Sequence, residues 1–318
     1  MHALRRYFLA PWLSALGFSL SFGNAAVAEW PAGYIVGEKS ISPDGRFGIV
    51  LPSRESGSDD AADKNYFADL KQQKLIGRIA GAEYFEGQNH RGLEVVWAQD
   101  SSWCVAKYEA RYGFGSIHVL EPKGDKVIQT DVGKFIQKSL DAVIARQSRQ
   151  RDDSGYGIAY FRPTPDRKLR VRALAYTNPK QFENVQSYYA AFQGTFDLAA
   201  KKWSATSARK ISSEENDSLQ NGYAEFNEND SLVIPEGGST PEDFAGTVFR
   251  SEDERVERLD TRLNEVYQAV RLSVAPARFA IVKQEQIAWL KKRDATQLLP
   301  EQSKLVEQRI KALQDLLW

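Results

Sequence analysis

Few side chains in this sequence are of the types that carry out chemistry, and their spacing is restrictive. Of three histidines, His2 lies at the very start, which leaves His90 and His118 to serve a nucleophile. Neither accompanies a recognisable nucleophile. There is no Gly-x-Ser-x-Gly, and the lone Cys104 stands in Trp103-Cys104-Val105-Ala106, an apolar run that reads as a buried small hydrophobe. The sequence also contains no His-Glu-x-x-His, no Cys-x-x-Cys and no glycine-rich phosphate loop, so zinc chemistry and nucleotide binding lack their usual ligand sets. Among 42 acidic residues some carboxylate pair is always available for glycoside cleavage, and such a pair carries no weight by itself. The expectation is a protein that is not an enzyme and takes no cofactor or metal.

What remains is a set of polar side chains at helical spacing near the C-terminal end. Asp260, Asn264 and Tyr267 recur at steps of four and three, and Gln286 and Arg293 flank Trp289 in a second segment. Two readings stand. Polar groups on a core-facing stripe need partners, so the residues satisfy one another across a helix pair, with Asp260 against Arg293. Alternatively, they form a binding surface.

The segments carrying them read as three helices. Over 254–272, Val256, Leu259, Leu263, Val266 and Val270 mark an apolar face; Ser273-Val274-Ala275-Pro276 breaks it. Over 277–295 the face is Phe279, Val282, Trp289 and Leu290; Pro300 then opens a helix bearing Val306, Ile310, Leu313 and Leu317. Short connections predict a small all-α domain of antiparallel helices over 246–318.

Taken in order, Leu259-Asp260-x-x-Leu263-Asn264-x-x-Tyr267, Gln286-x-x-Trp289-Leu290-x-x-Arg293-Asp294 and Arg309-x-x-x-Leu313 resemble the LprI-like domain. That domain is a small α-helical exported module named for a lysozyme inhibitor, and the resemblance covers about residues 240–318. It implies a partner: lysozyme, another envelope protein, or peptidoglycan. Members of the family usually carry cysteines before the first motif and after the Arg-Asp pair. Here those places read Val248-Phe249-Arg250 and Ala295-Thr296-Gln297, without cysteine.

The preceding 29–211 predict a β-rich α+β domain, an antiparallel sheet or sandwich. Ser42-Pro43-Asp44-Gly45 is a turn sequence between the apolar runs at 34–36 and 47–51, which predicts a hairpin. Leu169, Val171, Ala173 and Ala175 alternate with Lys168, Arg170 and Arg172, giving one buried and one wet face. A local pattern recurs three times: Ala68-Asp69-Leu70 before Lys74, His118-Val119-Leu120 before Lys126, and Phe196-Asp197-Leu198 before Lys202. Each reads as a hairpin. Three such units are fewer than the four or more blades of a closed propeller, hence the sheet or sandwich. One amphipathic helix interrupts the strands after Asp131, with Val132, Phe135, Ile136, Leu140 and Val143 on its apolar face. On the strands, Trp97, Trp103 and Tyr188 read either as core or as platforms for sugars. The latter belongs to an alternative function, a ligand-sensing or structural envelope module that recognises through its β-rich part.

Between 212 and 245 the composition turns to Ser, Glu, Asn, Gly and Pro, which reads as a polar linker, with one short strand allowed within 222–234. At the other end, Arg5-Arg6, an apolar run over 7–22 and Ala26-Val27-Ala28 follow the order of a secretory signal over 1–28. Its removal takes away Arg5 and Arg6 and no acid, leaving 40 basic against 42 acidic residues. A nearly neutral chain lacks the basic field that nucleic acid binding requires. The expected location is periplasmic or secreted, without stable membrane insertion after cleavage.

Overall fold

The computed structural model describes residues 30–54, 64–111, 114–147, 155–177, 187–224 and 252–318. The signal segment at 1–28, most of the polar segment beyond 224 and the sequence 248–250 lie outside these residues.

Among the described residues twelve strands form three four-stranded antiparallel sheets, each with its strands in sequence order. The first holds β1 (Tyr34–Val36), β2 (Phe47–Pro52), β3 (Lys64–Asp69) and β4 (Lys74–Glu83). The second holds β5 (Gly92–Trp97), β6 (Cys104–Glu109), β7 (Phe114–Lys123) and β8 (Lys126–Asp131); the third holds β9 (Gly155–Pro163), β10 (Lys168–Thr177), β11 (Tyr189–Asp197) and β12 (Lys202–Ile211). The antiparallel, β-rich character matches the expected sheet or sandwich, with three sheets among the described residues. The hairpin predicted around Pro43 pairs Tyr34 with Pro52 and Val36 with Val50. Gly45 takes a left-handed φ of 67°, which glycine adopts without steric cost.

The thrice-repeated sequence pattern marks the last hairpin of each sheet: β3–β4, β7–β8 and β11–β12. Its aspartates explain themselves. Asp69 Oδ1 accepts from the Gln72 backbone N–H at 3.0 Å and Asp197 Oδ1 from that of Ala200 at 2.8 Å, closing the turn with a side chain. A left-handed residue follows in all three turns, at Gln73, Gly124 and Lys201.

The sheets pack face to face. Ile49, Phe67 and Ile79 of the first meet Cys104, Ala106 and Leu120 of the second. The second turns Trp103, Val105, Ile117 and Val119 the other way, onto the third sheet's Leu169, Val171, Ala173 and Phe192. Helix α1 (Gly133–Gln147) closes this layer with Ile136 and Leu140, and its start is capped by Asp131 Oδ1 accepting from Lys134 N–H. Alternate residues of β6 thus serve two cores, which is why that strand is apolar on both faces.

The polar segment after 211 begins differently from the linker expected there. Residues Ser213–Tyr223 form helix α2, capped by Ser212, whose hydroxyl accepts from Glu215 N–H at 3.1 Å. Leu219 and Tyr223 are buried, and Gly222 lies so close to Ala269 that a Cβ there would sit 2.2 Å from the alanine methyl. Three further helices follow as predicted: α3 (Glu252–Ser273), α4 (Pro276–Asp294) and α5 (Leu299–Leu317).

One correction concerns the third sheet. The face carrying Arg170 and Arg172, expected to be wet, is where the helices land. Leu174 and Ala191 of that face share a core with Leu219, Leu263, Val266, Val306 and Leu313. Each such Leu or Val contributes roughly 1.5–3 kcal/mol by leaving water. The helices therefore bury sheet and helix together and extend one stack.

Candidate functional site

The six residues singled out by spacing fall into two connected clusters and one outlier. Asp260 on α3 and Arg293 on α4 meet: Nη1 donates to Oδ1 at 2.7 Å, with the side chains 37% and 22% exposed. Arg293 also donates from Nε and Nη2 to Asp294 Oδ1 at 3.0 and 2.9 Å, and its guanidinium lies 5.6 Å from the centre of the Trp289 ring. One guanidinium thus ties α4 to α3 while stacking on its own helix's tryptophan. Helical geometry brings this about, since Trp289 and Arg293 are four residues apart on the inward face of α4.

The second cluster joins α4 to α5. Gln286 is buried and accepts through Oε1 from Arg309 Nε at 2.7 Å. Arg309 also faces Glu285 at 3.9 Å. Burial disfavours the Arg309 charge and lowers its pKa, and the nearby Glu285 opposes that shift. Tyr267 packs its ring 5.4 Å from that of Phe279 at the opposite end of α4. Arg309 stood in the motif but was not among the expected site residues. The signal available was that a buried amide such as Gln286 requires a donor or acceptor from a neighbouring helix.

Asn264 is the outlier. It is exposed and lines a groove of about 440 Å³ between α2 and α3, together with Glu214, Asp217, Asn221 and Glu265. The structure therefore brings Asp260, Trp289 and Arg293 together, and Gln286 with Arg309, but sets Asn264 apart from both. These contacts account for five of the six residues by mutual packing and pairing within the helical layer.

A second set of functional-looking groups was hidden from spacing. Arg162, Arg170 and Arg172 of β9 and β10 converge on the end of α5. Arg172 Nε donates to the Leu317 carbonyl at 3.0 Å, and Arg170 Nη1 and Arg172 Nη2 donate to the Trp318 carbonyl at 3.1 and 3.2 Å. Arg162 pairs with Asp315, and the Arg172 guanidinium lies 5.5 Å from the Trp318 ring centre. Carbonyls at a helix C-terminus lack intrahelical donors, and these arginines supply them.

The residues considered for catalysis fall in three different settings. Cys104 is a buried free thiol, and burial pushes its pKa up, away from thiolate. His118 is buried in β7; burial lowers its pKa, opposed by Asp131. His90 occupies an exposed turn with a φ of 58°. Trp97 and Trp103 are taken up by packing. Trp97 stacks near Phe47 and Phe67 and donates from Nε1 to the Ser40 carbonyl, and Trp103 is fully buried. Between the second and third sheets a cleft of about 370 Å³ is lined by Arg91, Lys107, Glu109 and Arg111. Lys107 is buried there and paired with Glu94 at 2.5 Å and Glu109 at 3.1 Å.

The family model described as lysozyme inhibitor LprI matches residues 246–313, the stretch that holds α3, α4 and most of α5. Comparison with curated proteins gives no match. Among solved structures, the periplasmic gluconolactonase PpgL of Pseudomonas aeruginosa is similar at 12% identity with a TM-score of 0.22, over 57% of this chain and 55% of that one. The chain thus spans about half of that protein, at a level from which neither fold nor activity is taken. No helix among the described residues is long and apolar enough to cross a membrane.

Proposed function

We propose that the chain is an exported binding protein of the cell envelope whose helical layer engages a lysozyme-type glycosidase. The observation that carries this reading is the match of residues 246–313 to the lysozyme inhibitor family, in a region that folds into three packed helices. The cysteines usual in that family are missing at 295–297, and the described structure supplies other restraints. The Asp260–Arg293 and Gln286–Arg309 contacts tie the three helices together, and the core shared with α2 and the third sheet fixes α3 and α5. Shared packing thus does the work of a staple. Export rests on the Arg5-Arg6, apolar run and Ala-Val-Ala order of residues 1–28. The buried thiol of Cys104 and buried imidazole of His118 favour binding over catalysis as the chain's role.

The test is direct. The chain from residue 29 onward is added to a bacterial suspension, and the rate at which lysozyme clears it is followed. Slowed clearing at micromolar protein is expected, since a micromolar dissociation constant needs only about 8 kcal/mol. Unchanged clearing at a tenfold molar excess over each lysozyme class ends this reading. A second reading, recognition of a small polar ligand by the β-rich part, is favoured by the cleft at Arg91, Lys107 and Glu109. Retention of the chain on insoluble peptidoglycan, lost in Arg91→Ala, would support that reading instead.

A further inference from the structure

The helical layer has two sides, and only one is spoken for. On α4, Phe279, Val282, Gln286, Trp289 and Arg293 face inward, while among the described residues no other element covers the opposite face. Plotted at 100° per residue, Ala277, Ile281, Gln284, Ile287, Ala288 and Lys291 lie within about 60° of one outward direction. Ile281 and Ile287 are 51% and 42% exposed, and Leu298, just past the helix, is 60% exposed. These three are the large apolar side chains open to solvent in the described part of the family-matched stretch.

The charges around this stripe are uneven. Both acids of α4 face inward arginines, Asp294 through Arg293 and Glu285 through Arg309. The exposed Arg278, Lys283, Lys291 and Lys292 have no ion-pair partner among the described residues. An apolar centre inside a polar, charged border follows the layout of an interface core and rim.

We infer that the outward face of α4 is the surface that enters the substrate cleft of a lysozyme-type enzyme, with Lys291 facing the carboxylate pair that such enzymes use for glycoside cleavage. The inference rests on the reading given under Proposed function and adds to it the surface and the mode of inhibition. The length of α4 and the placement of Lys291 support this occupant. A helix of 19 residues is a convex rod of about 28 Å, suited to an elongated groove. Glycosidases of this type place two carboxyl groups on either side of the scissile bond, so a lysine delivered between the apolar contacts meets negative charge inside the cleft. The rest of the helical layer is less available, because α3 and α5 turn their apolar faces to α2 and the third sheet.

The experiment measures inhibition of lysozyme by the chain from residue 29 onward, with and without a soluble chito-oligosaccharide that occupies the cleft. Ile287→Asp and Lys291→Glu are compared with Lys311→Glu, an exposed change on α5, and each variant's fold is checked by circular dichroism. At least a tenfold rise in inhibition constant for the two α4 variants is expected, with Lys311→Glu unaffected and the oligosaccharide competing. α4 variants that inhibit as well as the parent, or inhibition indifferent to the oligosaccharide, overturn the inference while leaving the proposed function intact. A parent chain that does not inhibit overturns both. Binding of the parent to anionic phospholipid vesicles, lost in the α4 variants while lysozyme inhibition persists, also overturns it and assigns the face to a membrane surface.

Discussion

Removing either member of the Asp260–Arg293 pair should have unequal effects, and the inequality can be worked from the geometry. Two unit charges about 4 Å apart attract by about 4 kcal/mol at an effective dielectric of ~20. Much of that is lost here, because Asp260 keeps 37% of its side-chain surface in water and Arg293 keeps 22%. A net coupling of about 1 kcal/mol is expected, at the upper end for exposed pairs and well below the ~3–5 kcal/mol cost of breaking a fully buried one. Asp260→Asn leaves the guanidinium with Asp294 and the Trp289 ring, so it should cost only about 0.5–1 kcal/mol. Arg293→Gln removes the bond to Asp260, both bonds to Asp294 and the contact with the ring, and should cost about 1.5–2 kcal/mol. Urea unfolding of both single variants and the double variant gives the coupling as the departure from additivity. A coupling below about 0.3 kcal/mol, or equal costs for the two single changes, would refute the reasoning, since the first denies the bond and the second denies the role of Asp294.

Three other outcomes are expected. His118 has a pKa lowered by burial, so between that value and the unfolded value of about 6.5 the unfolded chain binds more protons than the folded one. Its contribution to stability is therefore complete above about pH 6.5 and declines as the pH falls; His118→Gln should flatten that dependence in urea midpoints measured from pH 7.5 to 5. Arg172→Met should cost about 1–3 kcal/mol by leaving the Leu317 carbonyl without its donor, the Trp318 carbonyl keeping Arg170, read as a lower urea midpoint and faster amide exchange at the end of α5. In limited proteolysis, composition places the first cut after Tyr223, in the Ser-, Glu- and Gly-rich sequence at 225–245, and the two fragments should co-elute on gel filtration because sheet and helices share a core.

Several features could be read from the sequence because they depend on local rules. The three recurring units are visible as hairpins because a left-handed residue, at Gln73, Gly124 and Lys201, turns each one within a few positions, and in two of them Asp69 or Asp197 closes the turn as an acceptor. The α3 and α4 boundaries followed from Pro276 and from apolar spacing, and the Asp260–Arg293 contact followed from placing two polar residues on facing stripes. What escaped depends on contacts far along the chain. At Arg172 alternation reports only that a face is polar, not that a helix end needs its hydrogen-bond donors. Helix α2 was hidden by polar composition; Ser212-x-x-Glu215 was its local sign, and its burial comes from a glycine fitted against Ala269. Asn264 shares a stripe with Asp260, yet the presence of α2 beside α3 puts it in a different groove.

The arginine contacts also set an order of events. Arg172 and Leu317 are 145 positions apart, so the helix-side face of the third sheet, on which the adjacent α2 lays Leu219, can be only partly covered when its own strands first pair. Local hairpins close quickly, and contacts across such a separation come late. During that interval the part of the face that α2 does not reach stays open, and exposure to misassociation is expected to be greatest after the sheets have formed and before α5 arrives. Slowing the arrival of α5, rather than weakening any strand, is what would lengthen that interval.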